Sequence, residues 1–331
     1  MEKIKMDKVT KVIKQYTILF VIVILMIGFT IGNPNFIKFS NMITILRQSS
    51  ILGIVGLGMM ILLVSGGLNL AAGSIVSITT VIIAMGAVKW GISWQVSMLI
   101  SMVVATFFGW LIGVVIRKGK INDMIGSLAL ATALNGIAYL ICNGLPVYGI
   151  PEESKIFGQG FVFGGTVPIP VVIFVIIAVL GAFIMNKTYI GRRLFAVGAN
   201  EETARLSGIQ ANKLHILAYT VSGFLCGIAG IIMYGRVGSG QPNSGGDISM
   251  NALIAVVLGG VSFGGGEGKV VNAMAGCIII SMLTNGLTLL SVGEYPQMVI
   301  KGLIFIGAVL LDSYQHRPKK AKKKKTVKVE A

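Results

Sequence analysis

Charge is what this sequence has least of. Asp, Glu, Lys and Arg make up 12% of its 331 residues, against roughly 25% in soluble domains. Acids are the scarcer sign, with 12 Asp and Glu beside 28 Lys and Arg. With 54% hydrophobic residues and a mean hydropathy of +0.85, the chain reads as an integral membrane protein. The three cysteines, Cys142, Cys226 and Cys277, sit inside apolar runs without ligand spacing, so neither a disulfide framework nor a zinc site is indicated. The two histidines, His215 and His316, have no ligand partner at helical spacing and read as structural or solvated groups. A nucleotide-binding loop is missing too. FGGGEGK has Phe263 where that motif needs its first glycine, and Val270 follows the lysine where it needs Ser or Thr. Nor is there an ion relay: Asp123, Asp247, Glu294 and Asp312 all fall near the ends of the apolar runs.

Glycine is abundant, 44 residues, about twice the usual share of roughly 7%, as suits closely packed membrane helices. Runs long enough to span a bilayer lie near 16–32, 43–64, 70–88, 95–116, 122–143, 168–186, 214–235, 248–264, 270–291 and 297–312. They predict an all-α, polytopic bundle of about ten transmembrane helices. The first run has a basic lead but no small-residue cleavage site after it, and reads as an uncleaved helix.

The net charge of +16 comes from residues at the chain ends and between apolar runs. It does not lie on an aromatic-interleaved face, so it sets topology and does not suggest nucleic acid. With both termini cytoplasmic, one side receives the Lys residues of the N-terminus, Arg117, Lys118, Lys120, Lys187, Arg192, Arg193, Arg205, Lys213, Lys269 and the basic tail. The other receives only Lys38, Lys89, Lys155 and Arg236. That asymmetry favours an even number of spans. The organisation expected is a basic cytoplasmic N-terminus at 1–15, a transmembrane domain at 16–312 and a Lys-rich cytoplasmic tail at 313–331, a charge run read as an anchor near anionic lipid.

Two loops interrupt the bundle. The outer one, 144–168, has the glycines, prolines and aromatics of an ordered lid or docking surface. The inner one, 186–213, contains a short helical pattern of Glu201, Glu202, Thr203, Ala204, Arg205 and Leu206, with Gly208 as its stop. Within the spans the polar groups are uncharged. Ser281, Thr284, Asn285, Thr288 and Ser291 share one helix face, and Ser127 and Asn135 share another. Such stripes suit a neutral, hydroxyl-rich solute, or they stitch helices together. The segment SGGLNLAAGS, with Gly66, Gly67, Asn69, Gly73 and Ser74, breaks the apolar run. Its loosened backbone is tolerable only where protein or a water-lined cavity satisfies it, so these five residues are expected on the translocation pathway together with Ser127, Asn135, Ser281, Thr284, Asn285 and Thr288. On residues alone, a facilitator or secondary transporter of small neutral solutes stays open beside a subunit of a driven transporter.

Four stretches carry a family resemblance: SGGLNLAAGS, GRRLFAVGANEETARLSGI, SMNALIAVVLGGVSFGGGEGK and LTNGLTLLSVGEYPQMVIKGLIFIGAVLLD. Together, from Pro34 to Asp312, they resemble the permease subunits of bacterial ATP-binding-cassette sugar importers, the ribose permease group in particular. The resemblance implies a bacterial plasma-membrane permease that pairs with a second copy or paralogue. It also implies two cytoplasmic ATPase subunits, an extracytoplasmic sugar-binding protein, and no cofactor. It further implies that Gly198, Asn200, Glu201, Glu202, Ala204, Arg205, Leu206, Ser207 and Gly208 form the ATPase-coupling loop. The family pattern usually has aspartate where this chain has Asn69.

Overall fold

The structure, a computed structural model, describes residues 20–162 and 164–315. The expected basic N-terminus at 1–15 and the tail from 316 onward lie outside the described residues. The described chain is a helical bundle. Its apolar helices are α1 (Phe20–Gly32), α2 (Phe39–Val64), α3 (Ala72–Val88), α4 (Trp94–Gly119) and α5 (Asp123–Ile141). After the short α6 (Ile156–Gln159) come α7 (Ile169–Lys187), α8 (Tyr189–Ala199), α9 (Glu201–Leu206), α10 (Ala211–Val237), α11 (Ile248–Leu258), α12 (Val270–Leu289) and α13 (Glu294–Gln315). Seven of these are long and apolar enough to cross a membrane, and α1, α3 and α11 are shorter apolar helices.

The helices sort by how far round they are covered. Every residue of α3 from Ala72 to Gly86 is buried, as expected of a helix that is apolar on all sides and central. α10 packs on α2, α3 and α4, and α2 also on α7, α11 and α12. By contrast α7 buries only Pro170, Gly181 and Met185, and turns Val179, Phe183 and Ile184 outward. The α4–α10 seam is set by Gly109 and Gly113, four residues apart on α4. A methyl on Gly109 would stand 2.5 Å from the Tyr219 carbonyl and 2.7 Å from Gly223 Cα, so the backbones meet directly.

The outer loop is ordered. It holds a 3-10 turn at Glu152–Lys155, then α6, then a two-residue hairpin pairing β1 (Phe161–Val162) with β2 (Val167–Pro168). The inner loop contains one helix more than its sequence suggested. α8 is amphipathic, burying Gly191, Leu194 and Val197 while Arg192 stays exposed, and Thr188 caps its start. The eighth apolar run differs most from expectation: its helix begins at Ile248, where the run was expected to begin, but stops at Leu258, short of 264.

Candidate functional site

At Ser65 the apolar pattern of α2 gives way to Gly66–Gly67, and the helix ends in a left-handed residue. Gly66 has φ +85°. Its N–H donates to Leu63 O (2.9 Å) and that of Gly67 to Leu62 O (2.8 Å), which satisfies the carbonyls that a helix end leaves free. The chain then crosses the interior as far as Ala71 without helical bonds, and side chains from other helices take its polar groups. Tyr219 donates to Leu68 O (2.8 Å). Leu70 N–H donates to Ser127 Oγ (3.1 Å). Asn69 uses both ends of its amide, accepting from Ala71 N–H (3.0 Å) and donating to Ser222 Oγ (3.4 Å). Aspartate could not donate there and could keep the bond only by accepting from the Ser222 hydroxyl.

This joint is wedged against the inner loop by glycines. A methyl on Gly198 would lie 1.8 Å from Val64 O and 2.7 Å from Gly266 N. One on Gly265 would lie 3.2 Å from Gly66 Cα. Gly266 N–H in turn donates to Val64 O (2.9 Å), so the glycine-rich segment that fails as a nucleotide loop caps α2 instead. Three of the sequence motifs therefore converge at one end of the bundle.

Charges meet there as well. Asn200 caps α9 by accepting from Thr203 N–H (2.9 Å), and Gly208 follows the helix with φ +80°. Capping places Glu201 at the first turn, where its Oε2 stands 3.4 Å from Arg117 Nη1 on α4 and 3.8 Å from His215 Nε2 on α10. The other ring nitrogen of buried His215 is 3.5 Å from Ser65 Oγ. Ser65, His215, Glu201 and Arg117 thus stand together where the end of α2 meets α9, α10 and α4, although His215 Nε2 makes no hydrogen bond among the described residues. Sequence reasoning passed over Arg117 as a topology charge and His215 as a lone histidine; only their approach to Glu201 in space sets them apart. Glu202 pairs with Arg205 (2.8 Å), and its hydrogen bond, then its charge, raise the Arg205 pKa. Ala204 is buried, whereas Leu206 is 79% exposed and Ser207 bonds back to Thr203 O. Glu201, Arg205, Gly208 and Lys213 line an open depression of about 790 Å³ on this face.

The expected pathway residues do not form one group. Gly66, Gly67, Asn69 and Ser127 belong to the joint, and Ser74 is buried in the first turn of α3. Gly73 meets a different segment, its N–H bonding Ser249 Oγ (2.7 Å). Asn135 is half-buried on α5. On α12, Ser281 is buried, Thr284 bonds back to Ile280 O (2.9 Å), and Asn285 exchanges amide hydrogen bonds with Asn41 of α2 (2.9 and 3.0 Å). Thr288 accepts from Gln297 of α13 (3.2 Å). Among the described residues no group of three or more His, Cys, Asp or Glu could hold a metal.

Comparisons with known proteins agree with this architecture. Residues 41–309 match the family model described as branched-chain amino acid transport system / permease component. The ribose import permease of Haemophilus influenzae is 36% identical over 85% of this chain and 88% of its own. That of Bacillus subtilis is 34% identical over 94% and 95%, and the L-arabinose transport system permease of Escherichia coli 37% over 92% of each. No solved structure matches significantly. The apolar helices and these bacterial relatives make it a multi-pass plasma-membrane protein. By family match and by near full-length identity, the chain belongs to the permease components of bacterial ATP-binding-cassette importers, the group that includes the ribose and L-arabinose permeases.

Proposed function

We propose that this chain forms the membrane pathway for a monosaccharide, ribose being the first candidate, in an ATP-driven importer. Its transmembrane domain, 16–312, crosses the membrane ten times with both termini cytoplasmic. It works as a pair of permeases, either two copies or one copy with a paralogue. Two cytoplasmic ATPase subunits hydrolyse the ATP, and an extracytoplasmic protein delivers the sugar. The observation that carries the reading is near full-length similarity to sugar permeases, 34% and 37% identical over more than nine-tenths of the chain. The family description names branched-chain amino acids. We give more weight to the relatives, whose alignments run nearly end to end.

Energy enters at the loop from Gly198 to Gly208. Exposed Leu206 and the depression beside it offer a contact for the ATPase. Motion of α9 is passed on through Glu201 to Arg117 and His215, and from His215 to Ser65 at the end of α2. Each partner biases the bundle only by binding its two states differently. The test is reconstitution in liposomes with cognate ATPase and binding-protein subunits, following radiolabelled ribose and leucine. ATP-dependent ribose uptake that requires every component supports the reading. Leucine uptake would move the substrate class, and equilibrating uptake by this chain alone would make it a facilitator. Glu201→Lys is expected to leave ATP hydrolysis running while uptake stops; unchanged coupling would remove Glu201 from the energy path.

A further inference from the structure

The non-helical stretch before α11 reads SGQPNSGGD, residues 239–247, too rich in glycine, proline and turn formers to be a helix. It does not stay at the surface. Gly240 exchanges backbone hydrogen bonds with Val147 of the outer loop (2.8 and 3.0 Å). Thr80 donates to Gln241 O (3.1 Å), Ser77 Oγ accepts from Gly245 N–H (2.9 Å), and Ser249 Oγ accepts from Gly73 N–H. The stretch therefore runs down α3 from its Val88 end. Ser77 lies eleven residues from Val88, about 17 Å along a helix at 1.5 Å per residue. Asp247, two residues past Gly245, is thus deep within the bundle and not at the span end where the sequence pattern put it.

One side of this stretch is sealed against α3. The other is open: Asn243, Gly246 and Asp247 are exposed, and Met250 is 48% exposed. Asp247 occupies the N-cap position of α11, yet its side chain makes no capping bond. Lys301 on α13, which packs on α11, is only 9% exposed. It takes part in none of the ion pairs among the described residues. Gln297, one turn before Lys301, bonds Thr288.

An exposed carboxylate beside non-helical backbone is untenable against hydrocarbon at such depth. The lipid-facing helices are built differently, exposing Val103 and Phe107 on α4 and Val179 and Phe183 on α7. This face therefore borders water or the paired permease, and a pathway between the two permeases would serve both. We propose that Asp247 contacts the transported sugar, accepting hydrogen bonds from adjacent hydroxyls in a water-filled pathway walled by Asn243, Gly246 and Met250. Charge-assisted hydrogen bonds to a carboxylate give the grip. The proposal rests on the sugar-importer reading and says which face of the chain serves it.

The test uses the complete reconstituted importer. If the wild-type complex moves no sugar, the importer reading itself fails. If it does, Asp247→Asn is expected to lower kcat/KM for uptake about tenfold or more, with ATPase activity still stimulated by the loaded binding protein. Asp247→Cys should react with a membrane-impermeant thiol reagent and be protected by saturating ribose. The three native cysteines are buried and give a quiet background. Transport by Asp247→Asn at the wild-type rate, or a cysteine at 247 that reacts equally with and without ribose, would overturn the proposal.

Discussion

Two stretches of this bundle abandon helical hydrogen bonding inside apolar surroundings, and they do so in opposite ways. In the first, between α2 and α3, the N–H groups of Gly66, Gly67 and Leu70, the Leu68 carbonyl and the Asn69 side chain find partners within the protein: Leu62, Leu63, Ser127, Tyr219 and Ser222. In the second, between α10 and α11, the side facing α3 is paired while Asn243 and Asp247 stay exposed. Non-helical backbone at membrane depth must be satisfied by protein or by water. The first break takes the protein solution and acts as a joint between helices. The second takes the water solution and marks where solute passes.

The largest expected effect comes from the contact that holds the second break in place. Gly73 and Gly245 touch backbone to backbone, and a methyl on Gly245 would sit 1.9 Å from Gly73 O. Gly245→Val should abolish the folded protein, at a cost above about 4 kcal/mol, seen as loss of a monodisperse species on detergent extraction. Recovery of normal yield would mean that the close approach is not needed. In the first break, Asn69→Asp restores the residue usual in the family pattern but removes the donor to Ser222 and buries a charge. It should destabilise by roughly 1–3 kcal/mol, read from the thermal midpoint in detergent. Tyr219→Phe deletes one buried hydrogen bond, to Leu68 O, and should cost about 1 kcal/mol; a neutral result would mean that the joint is less sealed than its geometry. Glu201→Gln breaks a half-exposed pair and should move the same midpoint by less than about 1 kcal/mol, while still cutting ATP-coupled uptake. A large loss of stability there would recast the pair as structural.

Much of this was legible from residue order. The apolar runs predict each long helix to within a few residues, because length and hydropathy alone decide that a segment sits in lipid. The short inner-loop helix α9 was readable too, from Glu201, Glu202 and the stop at Gly208. α8 was not, since Gly191, Arg192 and Arg193 read as loop while Leu194 and Val197 find their burial only against the rest of the fold. Nor was the depth of Asp247. A stretch such as NSGGD carries no periodicity, so its placement depends on serines of α3 far away in sequence. Ser127 shows the same limit: it reads as part of a stripe with Asn135, but its hydroxyl serves Leu70.

The contrast between a sealed break and an open one is tested most directly by comparing reaction rates of single cysteines placed at Asn69 and at Asn243, using a membrane-impermeant thiol reagent on intact cells or sealed vesicles. The cysteine at 243 is expected to react readily from the outer side and to slow when sugar and binding protein are added, while that at 69 stays inert. Equal reactivity at the two positions, or a reactive 69 beside an inert 243, would contradict it.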